Sequence, residues 1–139
     1  MSKKGFTLIE LLVTIGIITI LGSIAFPFYT GYRRGAARSE ATANLSALSM
    51  CMDEYFSLNG NYNLGNLGTE AAITAALPCF RPRKASGGTT LKYNYSLASA
   101  AATFTATAAG RVGTVVSGDT GASSLTINQD GIKSGPWPD

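Results

Sequence analysis

Gly5-Phe6-Thr7-Leu8-Ile9-Glu10 leads into an apolar run that reaches Phe28, and Lys3 and Lys4 stand just before it. After Glu10 no charged side chain appears until Arg33. The stretch between, L-L-V-T-I-G-I-I-T-I-L-G-S-I-A-F-P-F-Y-T-G-Y, is long enough to cross a bilayer as a helix, which takes about 20 apolar residues. Glu10 is the anomaly. A carboxylate at the centre of a membrane helix costs about 2.5–3.5 kcal/mol and is expected to find a partner. An ordinary secretory signal places its small-residue cleavage site after the apolar core. Here the small residue, Gly5, comes first, so a cut behind it leaves the apolar helix on the product.

Composition agrees with an anchored, exported head. One domain is the default for 139 residues. Beyond the apolar segment roughly a hundred residues remain, enough for one modest core. Positive flanks stay cytoplasmic, so Lys3 and Lys4 put the head outside the cytoplasm. Lys and Arg number 11 against 8 Asp and Glu, a net charge of +3. A cut after Gly5 removes two of those charges, and net charge alone then implies no nucleic-acid partner. Two cysteines in an exported head read as one disulfide, Cys51–Cys79. Over a loop of this length it contributes about 3 kcal/mol. The alternatives are two unpaired thiols or a metal site, and two cysteines without a histidine cannot complete a zinc site.

K-G-F-T-L-I-E-L-L resembles the processing site of the type IV pilin family, which the type II secretion pseudopilins share. The resemblance implies cleavage of the Gly5–Phe6 bond by a prepilin peptidase, N-methylation of Phe6, and a role for Glu10 in directing filament assembly. It implies as partners further copies of the chain in a helical homopolymer, together with the pilus assembly machinery. It places the subunit in the inner membrane, N-terminus cytoplasmic and head periplasmic, before it joins an extracellular pilus. Pro27 falls where the family carries a helix-breaking proline, and the segment before it is expected to loosen in the filament. The simpler alternative is a kink of the kind that membrane helices tolerate.

From Phe6 to about Phe56 the pattern predicts one long helix. Residues 1–5 form the leader, 6–28 the membrane and filament-core half, and 29–57 the amphipathic half. Ala41, Leu45, Leu48, Met52, Tyr55 and Phe56 fall on one stripe, which predicts packing against a sheet. Cys51 sits at the edge of that face. Leu58 to Asn63 ends the helix, with Gly60 and the asparagines suited to its C-terminus. Y-F-S-L-N-G-N-Y is again similar to the pilin family, which extends the resemblance to residue 63. Residues 58–90 form a connection in which Thr69 to Leu77 predicts a short helix closed by Pro78.

Residues 91–139 change to period two. Leu91, Tyr93, Tyr95 and Leu97 alternate with polar residues, then Phe104, Ala106 and Ala108. Leu125 and Ile127 form a further strand, Val112 to Val116 a weaker one, and Asp130-Gly131 a hairpin turn. The expectation is an α+β fold, a long helix on three or four antiparallel strands. The closing S-L-T-I-N-Q-D-G-I-K-S-G-P-W resembles the branch of minor pilins and DNA-uptake receptor pilins. That branch has a cysteine before the strand and another before the Trp. Here Ala122-Ser123 and Pro136 hold those places, so the roles of that disulfide loop do not carry over.

The head has one basic cluster, Arg81, Arg83 and Lys84. With Lys92 it could touch phosphate, and Tyr93 and Tyr95 could stack on single-stranded bases. The simpler reading takes precedence: a solvated loop with both tyrosines in the strand core. No nucleophile has a base beside it in a readable motif, and the glycines among the strands lack the setting of a phosphate loop, so neither an enzyme nor a cofactor is expected. Three functions follow. The first is a structural pilus subunit. The second is a type II secretion pseudopilin, for which Asp119, Asp130 and Asp139 are too dispersed to make the expected calcium loop. The third is a DNA-binding minor pilin.

Overall fold

The computed structural model describes residues 5–84 and 90–138. Met1 to Lys4 of the leader, residues 85–89 of the connection and Asp139 lie outside the described residues. The first helix, α1, spans Leu8–Asn59, and the chain divides into two units, one ending at Arg33 and one beginning at Arg34.

In the first unit α1 is apolar on every side: Leu8, Ile18 and Phe28 are all exposed. It is the one helix among the described residues long and apolar enough to cross a membrane. Its hydroxyls stay within the helix. Thr14, Thr19, Ser23 and Thr30 donate back to the carbonyls of Leu11, Ile15, Ile20 and Pro27 at 2.7–2.9 Å. Such internal satisfaction is what a hydrocarbon environment requires of polar groups.

The second unit holds the core. Ala37, Ala41, Leu45, Leu48 and Met52 of α1 are buried in one cluster with the inner face of an antiparallel sheet. The strands are β1 Asn66–Leu67, β2 Tyr93–Ser99, β3 Phe104–Gly110, β4 Leu125–Asn128 and β5 Lys133–Ser134, in that spatial order. A short helix α2, Glu70–Ala76, precedes β2, with the Thr69 hydroxyl accepting from Ala72 N. Large residues of β2 face small ones of β3: Tyr95 pairs with Ala108, Leu97 with Ala106 and Tyr93 with Gly110. This evens the surface on which the leucines of α1 rest, since a close-packed interior leaves no room for two large neighbours at each position.

The α+β class is as expected, with five strands where the pattern suggests three or four. The additions, β1 and β5, are two residues long, too short to show a period. Val112 to Val116 is not a strand. The amides of Thr114, Ser117 and Asp119 bond to the carbonyls of Arg111, Thr114 and Val116, three residues back in each case, in a run of turns. The cause lies at Gly110 and Gly113. Gly113 takes φ +78°, and a Cβ on Gly110 would overlap the Val116 carbonyl, so the chain folds back where a strand would continue. At the other end, Asp130-Gly131 makes the expected turn between β4 and β5, with Gly131 N donating to Asn128 O at 3.0 Å.

Candidate nucleic-acid interface and N-terminal segment

Phe80-Arg81-Pro82-Arg83-Lys84 leaves α2 and lies against α1. Cys79 is bonded to Cys51, their Cα atoms 5.9 Å apart. Further on, Asn44 grips the backbone of Arg83: its Oδ1 accepts from Arg83 N at 2.8 Å and its Nδ2 donates to Arg83 O at 2.9 Å. The same Nδ2 lies 2.8 Å from the Tyr95 hydroxyl. Asn44 is 3% exposed. Between the two ties Phe80 is fully buried, edge-on to Tyr95 with ring centroids 6.0 Å apart. Arg81, Arg83 and Lys84 are exposed.

Of the two sequence readings of the tyrosines here, burial selects the strand core over the stacking platform. Tyr93 and Tyr95 are 0% and 1% exposed, so neither can stack on a base; both belong to the strand core. Burial pushes the Tyr95 hydroxyl well above its ordinary pKa, against the opposing effect of its bond to Asn44. Lys92 is half-buried at the foot of β2, where its carbonyl accepts from Arg111 N at 2.9 Å. Arg111 then reaches Asn94 Oδ1 at 3.1 Å, which sets a cation beside Lys92 that the sequence reading passed over. Asn44 was also missed. It lies three residues after Ala41 and four before Leu48, so the stripe itself marked it as a polar residue facing inward.

A second tie joins α1 to the loop after β3. Arg38 donates to both carboxylate oxygens of Asp119, and the Tyr93 hydroxyl donates to Oδ2 at 2.5 Å. Arg34 Nε donates to Val115 O at 3.1 Å. An open cavity of about 460 Å³ beside this clasp is lined by Arg34, Arg38, Asp119, Ser123 and Pro136 among others. Ser123 and Pro136, among the residues at which the resemblance leads one to expect cysteines, thus border the same space. Close by, Gly135, at φ +95°, lies against the Ser124 carbonyl, and a Cβ on it would overlap that atom. Lys133 Nζ sits 4.8 Å from the centre of the Trp137 ring.

At the chain start Gly5 and Phe6 are exposed and precede α1. Thr7 caps the helix: its Oγ1 accepts from Glu10 N at 3.3 Å, and its carbonyl from Leu11 N at 3.2 Å. Glu10 is therefore the third residue of the first turn, with Oε2 3.5 Å from the Thr7 hydroxyl. Thr-x-x-Glu is a capping-box pattern, a local role for Glu10 beside any role between subunits. Pro27 lies inside α1, which the backbone continues through on both sides.

The prokaryotic N-terminal methylation motif matches residues 1–26, and the profile described as type IV minor pilin ComP, DNA uptake sequence receptor, matches residues 27–122. This chain belongs to the ComP minor pilin family. Similar curated proteins are the type IV major pilin PilA of Myxococcus xanthus, 40% identical over 61 residues, and the type II secretion system core protein G of Escherichia coli, 34% over 74. The fimbrial protein EcpC of Eikenella corrodens is 39% identical over 72 residues. These matches take in 44%, 53% and 52% of this chain. They span 28%, 51% and 47% of the three relatives, about half their length or less. The ComP-family match covers the Cys51–Cys79 bridge, Asn44, the basic segment and the Arg38–Asp119 clasp.

Proposed function

We propose that this member of the ComP family is a subunit of a type IV pilus, held in the inner membrane by α1 and polymerised through it. The observation that carries the reading is the methylation motif over residues 1–26, joined to a helix that keeps its polar groups to itself. A prepilin peptidase cuts Gly5–Phe6, and methylation leaves the Phe6 amine cationic. Glu10 of an arriving subunit pairs with the Phe6 amine of a neighbour. An unpaired partner in an apolar filament core costs several kcal/mol, and that asymmetry sets register. Apolar surface from Phe6 to Phe28 supplies the bulk attraction, and Pro27 is where the helix loosens on entering the filament. Mass spectrometry of sheared filaments tests this reading. A processed chain beginning at methylated Phe6 supports it, and a chain that retains Gly5 overturns it. The likeness to core protein G makes a pseudopilus the alternative, which the same measurement separates by whether the chain is found in surface filaments.

A second reading is that the head binds DNA. It is favoured by exposed Arg81, Arg83 and Lys84 on a segment inside the ComP-family match, whose description names a DNA uptake sequence receptor. Lys92 and Arg111 offer a further contact. Binding of this kind weakens steeply with salt. The test is binding of duplex DNA by the full chain in detergent micelles. Loss on Arg81→Glu with Arg83→Glu supports the reading, and no binding by the unaltered chain at low salt removes it.

A further inference from the structure

We propose that Asn44 is a positioning residue of the DNA contact: with the Cys51–Cys79 bridge it straps residues 79–83 along α1 and holds Arg81 and Arg83 as a fixed row of cations for phosphates. The inference rests on the DNA reading above. Asn44 and Cys51 stand two turns apart on α1, about 10.5 Å along its axis. Cys79 and Arg83, tied to them, are four residues apart, and an extended chain of that length reaches about 13–14 Å. The strap leaves a turn at Cys79, is fixed at both ends and runs antiparallel to the helix. In an extended chain alternate residues share a side, about 7 Å apart. Phe80 goes inward, fully buried, while Arg81 and Arg83 face out.

A strap fixed at both ends matters because free loops lose backbone entropy when they bind. Here folding has already ordered the backbone, and Asn44 does it without contributing charge. Its amide matches the Arg83 peptide as donor and acceptor together, so no other side chain of its length at position 44 could make both bonds.

The test compares the full chain in detergent micelles with Asn44→Ala and with the double variant Cys51→Ser, Cys79→Ser. DNA affinity is measured over a range of salt concentrations, and trypsin cleavage is timed at Arg83 and Lys84. Arg81 precedes proline and resists trypsin. Asn44→Ala removes no charge, so an overall loss of stability leaves unchanged the salt slope of the molecules that remain folded. Release of the strap lowers that slope by about 0.9 for each phosphate that is no longer neutralised. The expected result is affinity down about tenfold, a slope shallower by about 1–2 and cutting at Arg83 at least tenfold faster, with the cysteine variant moving the same way. A wild-type slope and cutting rate in a folded Asn44→Ala chain overturn the proposal while the DNA reading stands. Should the alanine variant not fold, the cysteine variant decides by the same two readouts. Failure of the unaltered chain to bind DNA at all overturns both.

Discussion

Arg38 meets Asp119 side-on, with Nε 3.0 Å from Oδ2 and Nη2 2.8 Å from Oδ1. Asp119 also ties its own loop: its carbonyl accepts from Gly110 N at 2.6 Å, and its amide bonds to Val116 O. One residue therefore fastens the loop after β3 to α1, to β2 and to itself. Arg38→Ala leaves the Asp119 carboxylate buried with only the Tyr93 hydroxyl. A fully buried pair so broken loses about 3–5 kcal/mol, and the water that reaches Arg38 brings this to about 2. Thermal unfolding of the variant in micelles is expected about 8–15 °C lower.

The same pair sets the acid limit. Hydrogen bonds from Arg38 hold the Asp119 carboxyl below its usual range, aided by the Tyr93 hydroxyl and the nearby charge, and opposed by burial. A depressed folded pKa gives stability that is complete above the unfolded value, about 3.9, and lost as pH falls through the folded value. Denaturation midpoints are expected to stay level from pH 7 to about 5 and to drop below about 4, a drop that Asp119→Asn diminishes.

Tyrosines set the alkaline limit. Burial pushes Tyr93 and Tyr95 above their ordinary range, so the folded state keeps them protonated. Their contribution is present below the unfolded value, about 10, and is lost as pH climbs from there toward the raised folded value. Ultraviolet titration is expected to show two late tyrosines whose ionisation coincides with unfolding, and Tyr95→Phe removes one of them.

Removing the Cys51–Cys79 bridge frees a loop of 28 residues. The serine double variant is expected to lose about 3 kcal/mol in urea unfolding. Exposed Cys79 makes the bond accessible, so a reducing agent applied to the folded protein is expected to reproduce the loss.

Glu10→Gln separates two roles. Glutamine also serves at the third position of a capping box, so α1 keeps its start. If charge pairing governs assembly, the variant inserts and its head folds, but it is scarce in filaments. Normal incorporation of this variant expressed alone sinks the pairing account.

The helix stripe was legible because period 3.6 survives in Ala41, Leu45, Leu48 and Met52, and the central strands because Tyr93, Tyr95 and Leu97 alternate cleanly. Residues 112–116 misled because valines favour strands, while the deciding approach, Gly110 against Val116, acts through backbone atoms that carry no pattern. In the basic segment the residue types were visible, but the partner was not. Asn44 lies far away in sequence from Arg83, and only folding shows that a lone amide on an apolar stripe is a peptide clamp. The tyrosines were read both as core and as stacking platform, and burial decided for core.

The two shortest strands carry a last consequence. A sheet edge is a template on which any extended chain can pair, and subunits stored at high density would be prone to it. Here the outermost strands, β1 and β5, are two residues long, and β5 carries Lys133. Strands this short are poor templates for such pairing.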